Sequence, residues 1–231
     1  VSQADLPRFR DGLRILTTGF TGWNILRTFV WDMPRMVKFV RQLIARKREH
    51  LEDDILSGLI QAEAEGDRLT ENELLSMVFL LVFAGHETTV HLITNAVLTL
   101  LDHPDQLDRL RAEPTLMESA VEEILRFNGP IQSTKPNYAT EDVTLRGVTI
   151  RKGSMVLPLL GAANRDPEAF DEPARFDIAR TPNRHLGFGH GIHYCLGAPL
   201  SRMETRIALT NLLDRNPDLP LAVTVEQLKV Q

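Results

Sequence analysis

The chain has 231 residues, 43% of them hydrophobic and 25% charged, and a net charge of −5. The acidic balance argues against a nucleic-acid partner. The single cysteine excludes an internal disulfide framework and fits a reducing, cytoplasmic compartment. The length suits one large domain or a piece of one.

Residues Val1–Asp5 carry neither a basic start nor an apolar run, so no secretory signal is expected there. The chain starts on Val1 rather than Met, and the expectation is that an N-terminal part is missing. PRFRDGLRIL reads as a first helix with Phe9, Leu13 and Leu16 on one face, interrupted by Gly19 and Gly22. Asp32 to Glu49 is the next helix: Asp32 caps it, Pro34 suits its first turn, and Met36, Phe39, Val40, Leu43 and Ile44 form an apolar stripe. Its other side carries Lys38, Arg41, Arg46, Lys47 and Arg48. Such a basic face can lie on a membrane, but a solvated outer face is the plainer reading. A shorter helix, capped by Asp53 or Asp54, buries Ile55, Leu56, Leu59 and Ile60. Gly66–Leu69 reads as a turn.

Thr70 and Glu73 form a capping box, each side chain reaching the other's backbone N–H. The helix it opens keeps its apolar period to Leu101, and Asp102-His103-Pro104 stops it. Its most apolar run, Leu74–Phe83, is too short to span a bilayer and reads as a core helix. Its middle, Ala84-Gly85-His86-Glu87-Thr88-Thr89, holds a glycine, an acid and two threonines. This is either a tolerated weak spot or a local opening of the hydrogen-bond ladder that makes room for a ligand.

A short helix is expected over Pro104–Arg111. A second capping box, Thr115 with Glu118, opens a helix to Phe127, ended by Asn128-Gly129. Within it Glu123 and Arg126 share a face at i, i+3, which for a surface pair contributes only ~0.5 kcal/mol. Val143–Leu145 and Val148–Ile150 alternate as a hairpin about Arg146-Gly147. Met155–Leu160 reads as a further strand, and a loop-rich stretch starts at Asn164.

The stretch Leu186–Leu200, LGFGHGIHYCLGAPL, places Cys195 among Gly187, Gly189, Gly191 and Gly197. A helix follows, with Leu200, Met203, Ile207 and Leu209 at mostly helical spacing. Alone, one cysteine reads as a small buried hydrophobe. Here a glycine-rich loop presents the sulfur at a helix N-terminus, whose partial positive charge favours the thiolate. The glycines let the backbone lie against something flat or bulky.

The pattern Phe188-x-x-Gly191-x-x-x-Cys195-x-Gly197 resembles the haem-ligand loop of the cytochrome P-450 family. Ala84–Thr88 is similar to that family's oxygen-binding groove, E-x-x-R falls at Glu123 and Arg126, and Pro173–Phe176 supplies the P-x-R-F-like stretch. The motifs come in family order, from about Asp32 to Val230, and look most like soluble bacterial members. The resemblance implies a mainly α fold with a small β-sheet region, the cytochrome P-450 fold, incomplete at the N-terminus and at the extreme C-terminus. The chain would then be the C-terminal part of a single P-450 domain. Its divisions would be middle helices (1–69), groove helix (70–101), E-x-x-R helix (115–128), strands and meander (129–185), and thiolate loop with its helix (186–213).

The implied cofactor is haem b, iron protoporphyrin IX, with Cys195 as iron ligand and His193 at a propionate. Phe188, Gly189, Gly197, Ala84, Gly85 and Lys135 would complete its binding site. Glu87 and Thr88 fall on the acid–alcohol pair that delivers protons, and Glu123, Arg126 and Arg175 on a buried structural network. The implied reaction is a monooxygenation: one atom of dioxygen enters an apolar small molecule, with electrons from NAD(P)H through a ferredoxin or flavodoxin. Neither nucleic acid nor a membrane span is expected. Val82, Phe83, Ala84, Pro130, Ile131 and Gln132 are candidate substrate contacts, and Arg202 and Arg206 a candidate donor-docking face.

The family commonly has a propionate-binding arginine where this chain has Asn137. Lys135, two residues earlier, shares the strand face, but an ammonium lacks arginine's bidentate fork. Two alternatives stand beside the monooxygenase: a haem-thiolate enzyme that uses peroxide or isomerises its substrate, and a truncated, non-catalytic haem-binding remnant. The expectation for the chain alone is weak haem retention and no coupled turnover.

Overall fold

The computed structural model describes residues 24–64, 69–219 and 221. The helix expected around Phe9 and most of the Gly66–Leu69 turn lie outside these residues. The chain divides into two compact units, Val1–His86 and Glu87–Gln231.

In the first unit, a short α1 (Asn24–Arg27) leads through one π-helical turn (Thr28–Asp32) into α2 (Met33–Glu49). The helix therefore begins well before Asp32. That residue makes no cap bond, and its buried carboxylate faces Arg27 instead, at 3.5 Å. α3 (Ile55–Ala64) has a true cap: Asp54 Oδ1 accepts the Ser57 N–H at 2.8 Å. Val40 and Ile44 of α2 pack with Ile60 of α3 and with Leu74 and Val78 of α4 (Glu71–Asp102). The α2 stripe thus faces a core, and its cations pair with acids: Lys47 with Glu52 and Asp54, Arg48 with Glu63.

The capping box at the start of α4 is formed as expected. Glu73 N–H donates to Thr70 Oγ1 at 3.3 Å, and Thr70 N–H to Glu73 Oε2 at 2.7 Å. α4 then runs without interruption through Gly85–Thr89, so the hydrogen-bond ladder does not open there. Leu74 and Val78 on one flank, and Leu92 and Ala96 on the other, are buried and hold it helical. A glycine costs a helix only about 1 kcal/mol, less than that packing supplies. The Leu74–Phe83 run is a core segment on one side only, since Leu80 and Phe83 are exposed. Among the described residues, α4 is the one helix long and apolar enough to cross a membrane by length and composition.

In the second unit, α4 packs with α5 (Pro104–Ala112), α6 (Met117–Asn128) and α8 (Ala198–Arg215). Leu92, Ala96 and Leu100 meet Leu107, Leu110, Val121, Ile124 and Leu209 in one core, closed by Phe176 and Ile178 of the meander. The second capping box does not form. Pro114–Leu116 is a 3₁₀ turn, α6 starts at Met117 without a side-chain cap, and Glu118 is drawn away to Arg206. Two small antiparallel sheets follow: β2 (Val143–Leu145) with β3 (Val148–Ile150), and β1 (Asn137–Tyr138) with β4 (Met155–Val156). Arg146 at φ +47° and Gly147 at φ +81° make the left-handed two-residue turn that a tight hairpin needs. The strand expected over Met155–Leu160 is shorter, because α7 (Leu160–Ala163) begins at its end.

Candidate active site

The cysteine loop is held by its own backbone. Gly189 N–H donates to Leu186 O at 2.9 Å, Tyr194 N–H to Gly191 O at 3.0 Å, and Cys195 N–H to Phe188 O at 2.9 Å. Two of the turns need left-handed residues, and glycines take them: Gly189 at φ +74° and Gly191 at φ +69°. Cys195 is free and exposed, and α8 begins three residues later, where Ala198 N–H bonds the Cys195 carbonyl at 3.2 Å. His193 ends the 3₁₀ turn Gly191–His193 and is exposed. The loop therefore brings Phe188, Gly189, His193, Cys195 and Gly197 together around one thiol.

Apolar side chains flank that thiol in the open. Ile192 is 97% exposed and Leu196 80%. Among the described residues no three His, Cys, Asp or Glu side chains gather around a common ion site. A free thiol, left-handed glycines and uncovered apolar neighbours fit a broad, flat, apolar group such as haem.

The other predicted residues are spread along the chain. Glu87 and Thr88 are half-buried on α4, just past the unit boundary. Ala84 and Gly85 are exposed in the first unit, and a Cβ built on Gly85 would meet nothing within 4 Å. Val82 is half-buried and Phe83 exposed, while Ile131 and Gln132 are exposed beyond α6. Lys135 is exposed, and Asn137 donates to its carbonyl at 3.1 Å.

The buried network is present with one change of member. Arg126 meets Glu123 through two bonds, Nε to Oε2 at 2.8 Å and Nη2 to Oε1 at 2.7 Å, and both side chains are fully buried. Its remaining donors reach the carbonyls of Asn164, Pro173 and Arg175. The second guanidinium on Glu123 belongs to Arg180, with Nε at 3.2 and 3.1 Å from the two oxygens, and not to Arg175. Arg175 contributes only its carbonyl, and its exposed side chain pairs with Glu172 at 2.9 Å. The reason is local: Glu172, three residues earlier and itself exposed, takes the Arg175 guanidinium. Asp177 N–H and Asn183 Nδ2 fill the remaining acceptor sites of Glu123.

Asn164 joins this network to the loop, its carbonyl accepting from Arg126 and its Oδ1 from Leu186 N–H at 2.7 Å. Neither Arg180 nor Asn164 belongs to a motif read from the sequence. An N-R-D-P loop start at Asn164 was the available signal. Arg202 and Arg206 do not stand as free cations: Arg202 pairs with Glu122 at 2.6 and 2.8 Å, and Arg206 with Glu118 at 2.5 Å.

The sequence matches the family model of Cytochrome P450 over residues 23–216. It is 50% identical over 224 residues to Cytochrome P450 CYP107DY1 of Priestia megaterium, covering 97% of this chain and 54% of that protein. It is 52% identical over 184 residues to the biotin biosynthesis cytochrome P450 of Bacillus subtilis, covering 80% of this chain and 46% of that one. Among solved structures it resembles the myxobacterial cytochrome P450 CYP267B1 in complex with myristic acid. That match has a TM-score of 0.88 and 43% identity, over 98% of this chain and 56% of the other. The chain spans about half the length of the curated relatives it matches.

Proposed function

The chain belongs to the cytochrome P450 family, and we propose that its protein is a haem-thiolate monooxygenase. It inserts one atom of dioxygen into an apolar organic substrate and releases the other as water, with electrons from NAD(P)H through a ferredoxin or flavodoxin. The observation that carries this reading is the single free thiol of Cys195, exposed on its glycine loop ahead of α8. A solved relative bound to myristic acid supports an apolar substrate. We place the protein in the cytoplasm, where a lone thiol stays reduced.

Haem is the cofactor of the family, and the loop residues fit it. In this reading Cys195 is the iron ligand and His193 a propionate contact, with Phe188, Gly189, Gly197, Ala84, Gly85 and Lys135 completing the binding set. The bound group supplies the redox chemistry, and a thiolate ligand donates electron density that favours O–O cleavage. The chain's own work is to present that sulfur free on its glycine loop, just ahead of the N-terminus of α8.

Glu87 and Thr88 handle protons: the Glu87 carboxylate takes one up and the Thr88 Oγ1 hydroxyl passes it on. An acid–alcohol pair serves protonation of reduced oxygen, which a peroxide-using enzyme needs less.

The test is the ferrous–CO spectrum of the haem-loaded protein. A strongly red-shifted band that Cys195→Ser abolishes supports the assignment. The same band in both proteins refutes it.

A further inference from the structure

Glu122, next to the network acid Glu123, belongs to a separate cluster. Its Oε1 accepts from Arg202 Nε at 2.6 Å, and its Oε2 from Arg202 Nη2 at 2.8 Å. His185 Nε2 lies 2.9 Å from the same Oε2. Arg202 then reaches the loop twice: its guanidinium lies 4.6 Å over the Phe188 ring, and its Nη1 bonds Tyr194 Oη at 3.2 Å. His185 reaches it once, its Nδ1 accepting the Gly187 N–H at 3.0 Å. Phe188 in turn accepts the Cys195 N–H.

We infer that Glu122 is the positioning residue of the cysteine loop, fixing the segments on both sides of Cys195 through Arg202 and His185. This rests on the reading of Cys195 as the iron ligand. Two consecutive acids of α6 thus have two tasks: Glu123 anchors the meander and Glu122 anchors the thiol loop.

The chemistry requires a carboxylate at this place. Because His185 Nδ1 accepts from Gly187, the ring proton sits on Nε2 and must be donated. Arg202 presents only donors. The group between them must accept from both sides, and an ionised carboxylate does so. A glutamine has one acceptor oxygen, and its NH₂ would face a donor on one side or the other. Turning the imidazole to the other tautomer would set Nδ1–H against the Gly187 N–H.

The experiment compares Glu122→Gln with Glu118→Gln, which breaks the other α6–α8 pair, Glu118 with Arg206. Hydrogen exchange of the Tyr194 and Cys195 amides, both bonded within the loop, is read on the haem-free protein. Glu122→Gln is expected to speed both roughly tenfold, the scale of a lost charge-assisted hydrogen bond. Glu118→Gln should leave them unchanged. After haem loading, Glu122→Gln should show a smaller share of the red-shifted ferrous–CO band.

Arg202→Lys keeps the charge but loses the fork and the stacking, so it should act like Glu122→Gln and stands in for it if that variant does not fold. Wild-type exchange in Glu122→Gln or its stand-in overturns the inference, as does equal acceleration by Glu118→Gln. If the wild type lacks the red-shifted band, the iron-ligand reading falls, and the haem-free comparison still decides the positioning role.

Discussion

Glu123 and Arg126 meet at 2.7 Å with neither side chain exposed to solvent. The i, i+3 spacing alone would make them a weak surface pair. Burial, three further donors on Glu123 (from Arg180, Asp177 and Asn183) and three carbonyls on Arg126 make them a keystone between α6 and the meander. Glu123→Ala leaves Arg126 and Arg180 without their counter-charge. Removing one partner of a buried pair costs ~3–5 kcal/mol, so the denaturation midpoint should fall steeply, with loss of soluble protein. A variant that unfolds like wild type would show that the network relaxes at no cost.

The two candidate third members separate cleanly. Arg175 is exposed and pairs only with Glu172, so Arg175→Ala should change stability by ~0–1 kcal/mol. Arg180 donates to Glu123 and to the carbonyls of Asp171, Glu172 and Arg175. Each bond to a charged group contributes ~1.5–3 kcal/mol, and Arg180→Ala should cost at least that much. Equilibrium unfolding of both variants ranks them, and the reverse order would reinstate Arg175.

That exchange shows what was legible in the sequence. Local signals carried well. The Thr70–Glu73 box, the Asp54 cap, the hairpin about Arg146-Gly147 and the helix after Cys195 all depend on residues a few places apart. What failed depended on distant partners. Thr115 and Glu118 have the spacing of a capping box, but Arg206, 88 residues on, takes the carboxylate. Arg180 and Asn164 meet Glu123 and Arg126 only after the meander folds, so spacing along the chain gives no sign of them. The uninterrupted α4 has the same origin, since burial of Leu74 and Leu92 on its two flanks overrides the weak residues between them. At the candidate site the glycine–cysteine loop was readable, and the Glu122 cluster that braces it was not.

Glu122 also sets a pH signature. Burial pushes its carboxyl up, but hydrogen bonds from His185 and Arg202 and the charge of Arg202 outweigh this and hold it at about 2, against an ordinary 4.5. A folded value below the unfolded one means that ionised Glu122 stabilises the fold above about pH 4.5. The contribution is lost as pH falls from there toward about 2. Unfolding midpoints of wild type and Glu122→Gln, compared across this range, should converge as the solution becomes acid. A gap that stays constant with pH would show that the carboxylate charge is not the source.

Thr88→Ala separates oxygen chemistry from folding. The side chain is half-buried on α4, and alanine favours the helix, so the variant should fold and retain the ferrous–CO band. Positioned proton transfer typically contributes ~10²–10⁴-fold. Reductant should therefore still be consumed while product falls and hydrogen peroxide rises. Wild-type coupling of reductant to product would remove Thr88 from the proton path.

Gly85 and Gly58 give a paired test of the groove. Both lie within α-helices, and a Cβ on either would meet nothing within 4 Å. By helix propensity alone, each Gly→Ala change should stabilise the haem-free protein by about 0.5–1 kcal/mol. They should part when haem is added. If Gly85 leaves room for the cofactor, a methyl group there occupies that space, and Gly85→Ala should bind haem more weakly while being more stable without it. Gly58→Ala carries no such conflict and should bind haem as the wild type does. Haem titration of the two variants, set beside their haem-free unfolding curves, decides the matter. Equal haem affinity in Gly85→Ala and wild type would mean that Gly85 is a tolerated weak spot in α4 and has no part in the site.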